Sequence, residues 1–402
     1  MGRTIRSKSF LIILAAMLSA ISAGPVSGAD TWLRITSQNF ELVGNAPESE
    51  IRSVALELEQ FRSAIGKTLG SLENEGVRVR VVVFRDAASF APFRPRLAGG
   101  RPDHLAAGYF QAGEDLNYIA ITTDASSRSF GTIFHEYGHL LIQHILGRNE
   151  VPPWLNEGLA EYLQTFRVLD GASAEIGGMQ AGHIRLLRSS PLMPWDRFFA
   201  VDHYTLQQSG DHSRTIFYAQ AWALMHSLVR RHESIPLRQL VRSLSDPSKT
   251  AAGALAELGI TDLDDSLRTA IDRSSESFVP VKLTIERSTA ISGSVEMLPS
   301  AFNAVAGDLL FRLRDPAAEV YLRRALTAEP ADPEANTTLG MLRLRERRFD
   351  ESRQAFERAL AGGKKNYLVH YYLAYLLSRE HMDEFGMITR LPPETARRMR
   401  RG

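Results

Sequence analysis

The chain has 402 residues, a formal net charge of +1 and no cysteine. Balanced, interspersed charge makes no case for binding nucleic acid. The absence of thiols excludes a disulfide framework, a lipidated cysteine and any thiolate metal ligand. The length suits two or three structural units.

Residues 1–29 read as an export signal. Arg3, Arg6 and Lys8 precede a mostly apolar run from Phe10 to Ile21, and small residues follow up to Ser27-Gly28-Ala29. This is the order of a secretory signal, with cleavage expected after Ala29. The run is shorter than the about 20 residues a bilayer span needs, and no later segment reaches that length. The mature chain is therefore expected without an integral membrane segment, in a bacterial periplasm or outside the cell, where export without disulfides is common.

Residues 30–125 carry mixed signals and are expected to form a small α/β lobe. Val54, Leu56, Leu58, Phe61, Ile65 and Leu69 recur as one face of a helix over 51–69. Val77–Phe84 alternates and then turns wholly apolar, as a strand does on entering a covered sheet. Ala107-Gly-Tyr-Phe110 precedes the β-branched run Asn117–Thr122, which reads as an edge strand on which a peptide could lie extended.

Residues 126–290 read as a mainly helical lobe, and they carry the chemistry. Residues 135–139 are His-Glu-Tyr-Gly-His. On a helix, His135 and His139 project from one face and can grip a single metal, while Glu136 lies one step round, able to reach water at that metal without being a ligand. Ser126 or Ser127 would cap this helix and Gly147 would end it. A second helix is expected from Pro153, which costs no hydrogen bond in a first turn. Leu155, Leu159, Leu163 and Phe166 give its buried face, and Glu157 is the natural third ligand. His, His and Glu are three protein ligands, the usual number at a catalytic zinc, which keeps a further position open. Glu161, one turn beyond Glu157, would repel it unless Zn2+ holds Glu157 and a histidine N–H satisfies Glu161; such a partner orients a metal ligand.

The pair of segments, H-E-x-x-H and then Trp154-Leu-Asn-Glu-Gly-Leu-Ala-Glu-Tyr162, resembles the gluzincin metallopeptidases, among them the aminopeptidase N group. The form P-x-W-L-x-E-G-L-A-E-Y is closer to the bacterial peptidase MA-like set. The 17 residues between His139 and Glu157 (140–156) are slightly fewer than the aminopeptidase group has, which also favours that set. The resemblance covers residues 35–280. It implies a zincin lobe, Zn2+ as cofactor, a peptide or protein substrate, and a tyrosine that hydrogen-bonds the tetrahedral oxyanion. Phe217-Tyr218-Ala-Gln-Ala-Trp222-Ala-Leu224 has the layout of the segment that carries this tyrosine, with Ala221 in place of a glycine, so Tyr218 is the candidate. A donor aimed at the developing negative oxygen has its own physical reason. The Gly-x-Met-Glu-Asn segment that holds a free amino terminus in aminopeptidases is missing, which points to an endopeptidase or a narrow specificity. The remaining histidines, His183 and His226 included, show no ligand spacing and read as structural or surface residues.

Residues 298–402 differ in kind. Leu339-Gly340, Phe356 and Ala359 match the about 34-residue helical-hairpin pattern of tetratricopeptide repeats. Ala318, Leu322, Ala325 and Pro330 match one period earlier, and Leu373, Ala374 and Leu377 one period later. Arg343 and Ser352 depart from it, standing where an aromatic and an alanine are usual. The expected fold is thus α+β, a small α/β lobe and a helical zincin lobe followed by an all-α solenoid with a protein partner. The expected function is zinc-dependent peptide hydrolysis with Glu136 as general base. The rival readings are a repeat adaptor whose zinc domain has little or no peptidase activity, and hydrolysis of a non-peptide amide such as a cell-wall crosslink.

Overall fold

A computed structural model of the chain describes residues 31–379 apart from 71–77, 97–100, 105, 124–127, 147–150, 203–204, 207–210, 233–234, 261, 286–289 and 364–365. Residues 1–29, expected to be an export signal, the expected caps Ser126 and Ser127, and Gly147 lie outside the described residues.

The strands β1 (Leu33–Thr36), β2 (Phe40–Gly44), β3 (Arg78–Phe84), β4 (Gly108–Gln111), β5 (Leu116–Thr122) and a short β9 (Val295–Glu296) form one sheet in the order β4-β5-β3-β2-β1-β9. β2, β3 and β5 are mutually parallel, and the outer strands are antiparallel to their neighbours. Helix α1 (Glu48–Leu69) makes the crossover between β2 and β3. Short helix α2 (Ala87–Phe90) follows β3, opened by a capping box in which Asp86 and Ser89 satisfy each other's backbone N–H groups.

Alternation along β3 explains its apolar run. Val79, Val81 and Val83 face α1 and the helices of the histidine motif, whereas Val82 and Phe84 face Phe90, Phe93 and the C-terminal helices. Both faces are covered, so no polar side is needed. The same holds for β5, buried at all seven positions. This corrects the expected edge. Asn117–Thr122 lies inside the sheet between β3 and β4, and the edge is the four-residue β4, too short for its own periodicity to show.

Beyond the sheet come α3 (Arg128–Leu146) and α4 (Pro153–Leu163), then strands β6 (Arg167–Asp170) and β7 (Ser173–Ile176). Helices α5 (Ala181–Ser189), α6 (Trp195–Ala200), α7 (Asp211–Arg231), α8 (Leu237–Leu244), α9 (Ala251–Glu257), α10 (Leu263–Asp272) and α11 (Ser274–Ser277) follow, and β8 (Val281–Thr284) closes a second small sheet with β6 and β7. That sheet was not legible in a region that reads as helical.

The last helices are α12 (Pro299–Arg312), α13 (Ala318–Ala328), α14 (Pro333–Arg345), α15 (Phe349–Ala361) and α16 (Tyr367–Arg379). α12 packs with α13 and α14 with α15 as hairpins. Glycines allow the close approach: a Cβ on Gly307 would lie 2.7 Å from Leu322, and one on Gly340 2.5 Å from Phe356. The two pattern-breaking residues have partners. Ser352 donates to the Gly340 carbonyl at 2.8 Å, and buried Arg343 pairs with Glu319, Glu346 and Glu351. Val305, Leu309 and Leu310 of α12 lie against the sheet, so these helices share a core with it.

Candidate metal centre

Ile133, Phe134, Tyr137, Leu141 and Ile142 bury one side of α3 against α1, where Phe61 stacks on Phe134 at 4.4 Å. The opposite side carries His135, Glu136 and His139. Pro152 and Pro153 open α4, whose residues from Trp154 to Leu163 are all buried except Asn156. α4 therefore sits under α3 and presents Glu157 to both histidines.

The three candidate ligand atoms converge. His135 Nε2 lies 3.2 Å from His139 Nε2, and Glu157 Oε2 lies 3.3 Å from the first and 3.4 Å from the second. Three donors on a tetrahedron around zinc at about 2.0–2.1 Å would be about 3.3–3.4 Å apart. The triangle has the size such an ion needs, and the residues fit that group. Glu157 Oε2 is buried without a well-formed hydrogen bond, the condition a cation would relieve. Burial alone would raise the Glu157 pKa; attraction to the two imidazoles outweighs it and holds the carboxyl at about 2. His139 is the converse case. Its burial favours the neutral ring, yet Glu157 and Asn156 shift its pKa upward.

The surroundings orient these groups. Asn156 Oδ1 lies 3.0 Å from His139 Nδ1 and so fixes the ring with Nε2 toward the triangle. Glu161 is buried and receives several donors. His183 Nε2 on α5 lies 2.8 Å from its Oε2, Gln180 Nε2 lies 3.1 Å away, and Gln164 also bonds to it. Its other oxygen lies 3.7 Å from His135 Nδ1, longer than a hydrogen bond. The histidine that satisfies Glu161 is thus chiefly His183, which sequence spacing does not reveal because α5 reaches the site only through the fold. Asn156 was within reach of the sequence, one residue before Glu157 and on the side of the helix that faces His139.

Glu136 is exposed and stands beside the triangle on α3. Tyr218 on α7 is half-buried, its ring centroid 6.4 Å from that of His135. Burial, with Glu157's charge, pushes its hydroxyl up to about 12, so it stays protonated and able to donate. α7 can approach because α4 carries Gly158, where a Cβ would lie 2.6 Å from the Ala221 carbonyl oxygen. His226, farther along α7, is a core residue. Its Nε2 lies 2.7 Å from the Gly177 carbonyl, and burial holds its pKa down at about 4.

No protein-family model matches this chain, and no curated protein does.

Proposed function

We propose that the protein is an exported zinc-dependent peptidase of the gluzincin kind. The observation that carries this reading is the triangle of His135, His139 and Glu157 ligand atoms, with sides of 3.2, 3.3 and 3.4 Å. Zinc, when bound, supplies Lewis acidity that makes water nucleophilic near neutral pH and polarises an amide carbonyl. Glu136 accepts the proton of the attacking water and passes it to the leaving amine nitrogen, general acid–base work by one exposed carboxylate. Tyr218 donates its O–H to the oxygen on which negative charge develops. Strand β4 pairs only with β5 among the described residues, leaving one edge for main-chain hydrogen bonds to an extended peptide. The hairpins from Pro299 onward we read as tetratricopeptide-like.

The test is zinc content together with cleavage of a mixed peptide library. Glu136→Gln is expected to keep the metal and lose about 10²–10⁴-fold in turnover. His139→Ala is expected to lose the metal. Retained turnover in Glu136→Gln would refute the general base, and full zinc occupancy in His139→Ala would refute the ligand set. Metal without cleavage in the wild type would favour the adaptor reading.

A further inference from the structure

We propose that the inner side of the C-terminal hairpins already holds a ligand, the chain's own β4–β5 turn, and that this contact positions edge strand β4 beside the metal centre. The first helices of successive hairpins, α12, α14 and the start of α16, line a cavity of about 340 Å3 whose opposite wall is Gln111–Leu116. This is the side on which an outside peptide would be expected to lie.

The turn is held at its acidic groups and its carbonyls. Arg312 donates to the Leu116 carbonyl at 2.9 Å and to Asp115 Oδ1 at 3.0 Å. Asn366 Nδ2 donates to Asp115 Oδ2 at 2.8 Å. Tyr367 donates to the Glu114 carbonyl at 2.6 Å, and Tyr372 to the Glu114 carboxylate at 3.0 Å. Gly113 is required where it stands, because a side chain there would collide with the Arg312 guanidinium and the Leu116 carbonyl. Burial would raise the Asp115 pKa, yet the charge of Arg312 holds it low, so the carboxylate stays ionised in this setting.

The other end of β4 meets the metal helix. A Cβ on Gly108 would lie 3.3 Å from Ile133 Cδ1, two residues before His135, and Phe110 packs near Tyr137 at 6.5 Å between ring centroids. A four-residue strand with ladder bonds on one side has little stability of its own. Its position is fixed by α3 at Gly108 and by the hairpins at Gly113–Asp115. The hairpins therefore act in cis, as a brace for the strand that would carry a substrate. The substrate clause rests on the peptidase reading; the brace does not.

The experiment uses the full chain and two variants. Asn366→Ala combined with Tyr367→Phe and Tyr372→Phe removes the bonds made by α16 and the residue before it, and Asp115→Ala removes one of the acceptors of Arg312. Hydrogen exchange over residues 108–116 is expected to quicken about tenfold in both, with α3 and α4 unchanged. KM for an extended peptide is expected to rise about three- to tenfold, with kcat within about twofold. Unchanged exchange at 108–116 in both variants would overturn the brace, as would equal quickening across the whole sheet. Quicker exchange with an unchanged KM would overturn its role in placing the substrate. Exchange needs no turnover, so it decides the brace even where a failed peptidase assay has removed the proposed function.

Discussion

Two polar clusters in this molecule each contain a buried carboxylate, Asp308 in one and Glu157 in the other, and are built on opposite plans. At Asp308, where α12 meets the sheet, donors and acceptors alternate. Its carboxylate accepts from Tyr118 at 2.8 Å, Arg312 at 2.9 Å and Thr338 at 2.9 Å. Tyr118 in turn accepts from Arg80, which pairs with Glu41 and Glu334 at 2.8 Å each. At His135, His139 and Glu157, three potential ligand atoms instead converge on one another, 3.2–3.4 Å apart. The first plan is a lock, complete as it stands. The second leaves Glu157 Oε2 buried without a well-formed hydrogen bond, in a group that could hold a cation. Buried charge by itself says nothing about function; whether its acceptors already have donors does.

The largest expected effect breaks the lock. Asp308→Ala would leave Tyr118 and Thr338 without their buried acceptor and Arg312 without one of its two carboxylates, and is expected to cost about 3–5 kcal/mol, read from the urea midpoint. A cost below about 1 kcal/mol would mean that the two clusters do not differ as described. Glu157→Gln tests the other side. Measured without metal at mildly alkaline pH, it is expected to change stability by less than about 1 kcal/mol. That pH matters because the His139 pKa is raised in the fold, so its pairing with Glu157 stabilises the metal-free protein at low pH and fades as pH rises through that value. In the wild type, zinc at about 100 times its Kd should add about 2.7 kcal/mol, seen as a Tm shift that a chelator reverses and Glu157→Gln abolishes.

A smaller effect sharpens the contrast. Asn156→Ala and Glu161→Gln leave the triangle whole and loosen what orients it, so each is expected to weaken zinc affinity about 10–100-fold in a competition titration. The smallest belongs to a half-exposed site among the hairpins. Hydrogen bonds from Arg343 and then Arg323 hold Glu319 at about 2, below its ordinary 4.5. Its contribution is complete above pH 4.5 and is lost as pH falls toward 2. Solvent screening should keep it below about 1 kcal/mol. Glu319→Gln should flatten the wild-type Tm curve over that range; an unchanged slope would show that the pair carries no stability.

The contrast also explains what was readable in advance. His135 and His139 share one helix, and Glu157 follows on the next, so spacing and helical period were enough to group them. Gln164, Gln180 and His183 reach Glu161 only because α5 folds back over α4, and no local period records that. The Asp308 lock joins residues from β3, β5, α12 and α14, each an ordinary residue in its own segment. The misplaced edge had a different cause. Periodicity reports how covered a strand is, not which strand lies beside it, so fully buried β5 gave the stronger signal and short β4 gave almost none.

The contact between Gly158 and the Ala221 carbonyl sets a tolerance. Two helices that touch backbone to backbone have no side chain between them to absorb error, so the offset between Glu157 on one and Tyr218 on the other is fixed by the width of a peptide group. A methyl at Gly158 would part the helices and carry the hydroxyl away from the triangle, although neither residue had been altered. Anyone redesigning this site should treat that glycine as its alignment pin, to be left in place while the residues around the cleft are varied.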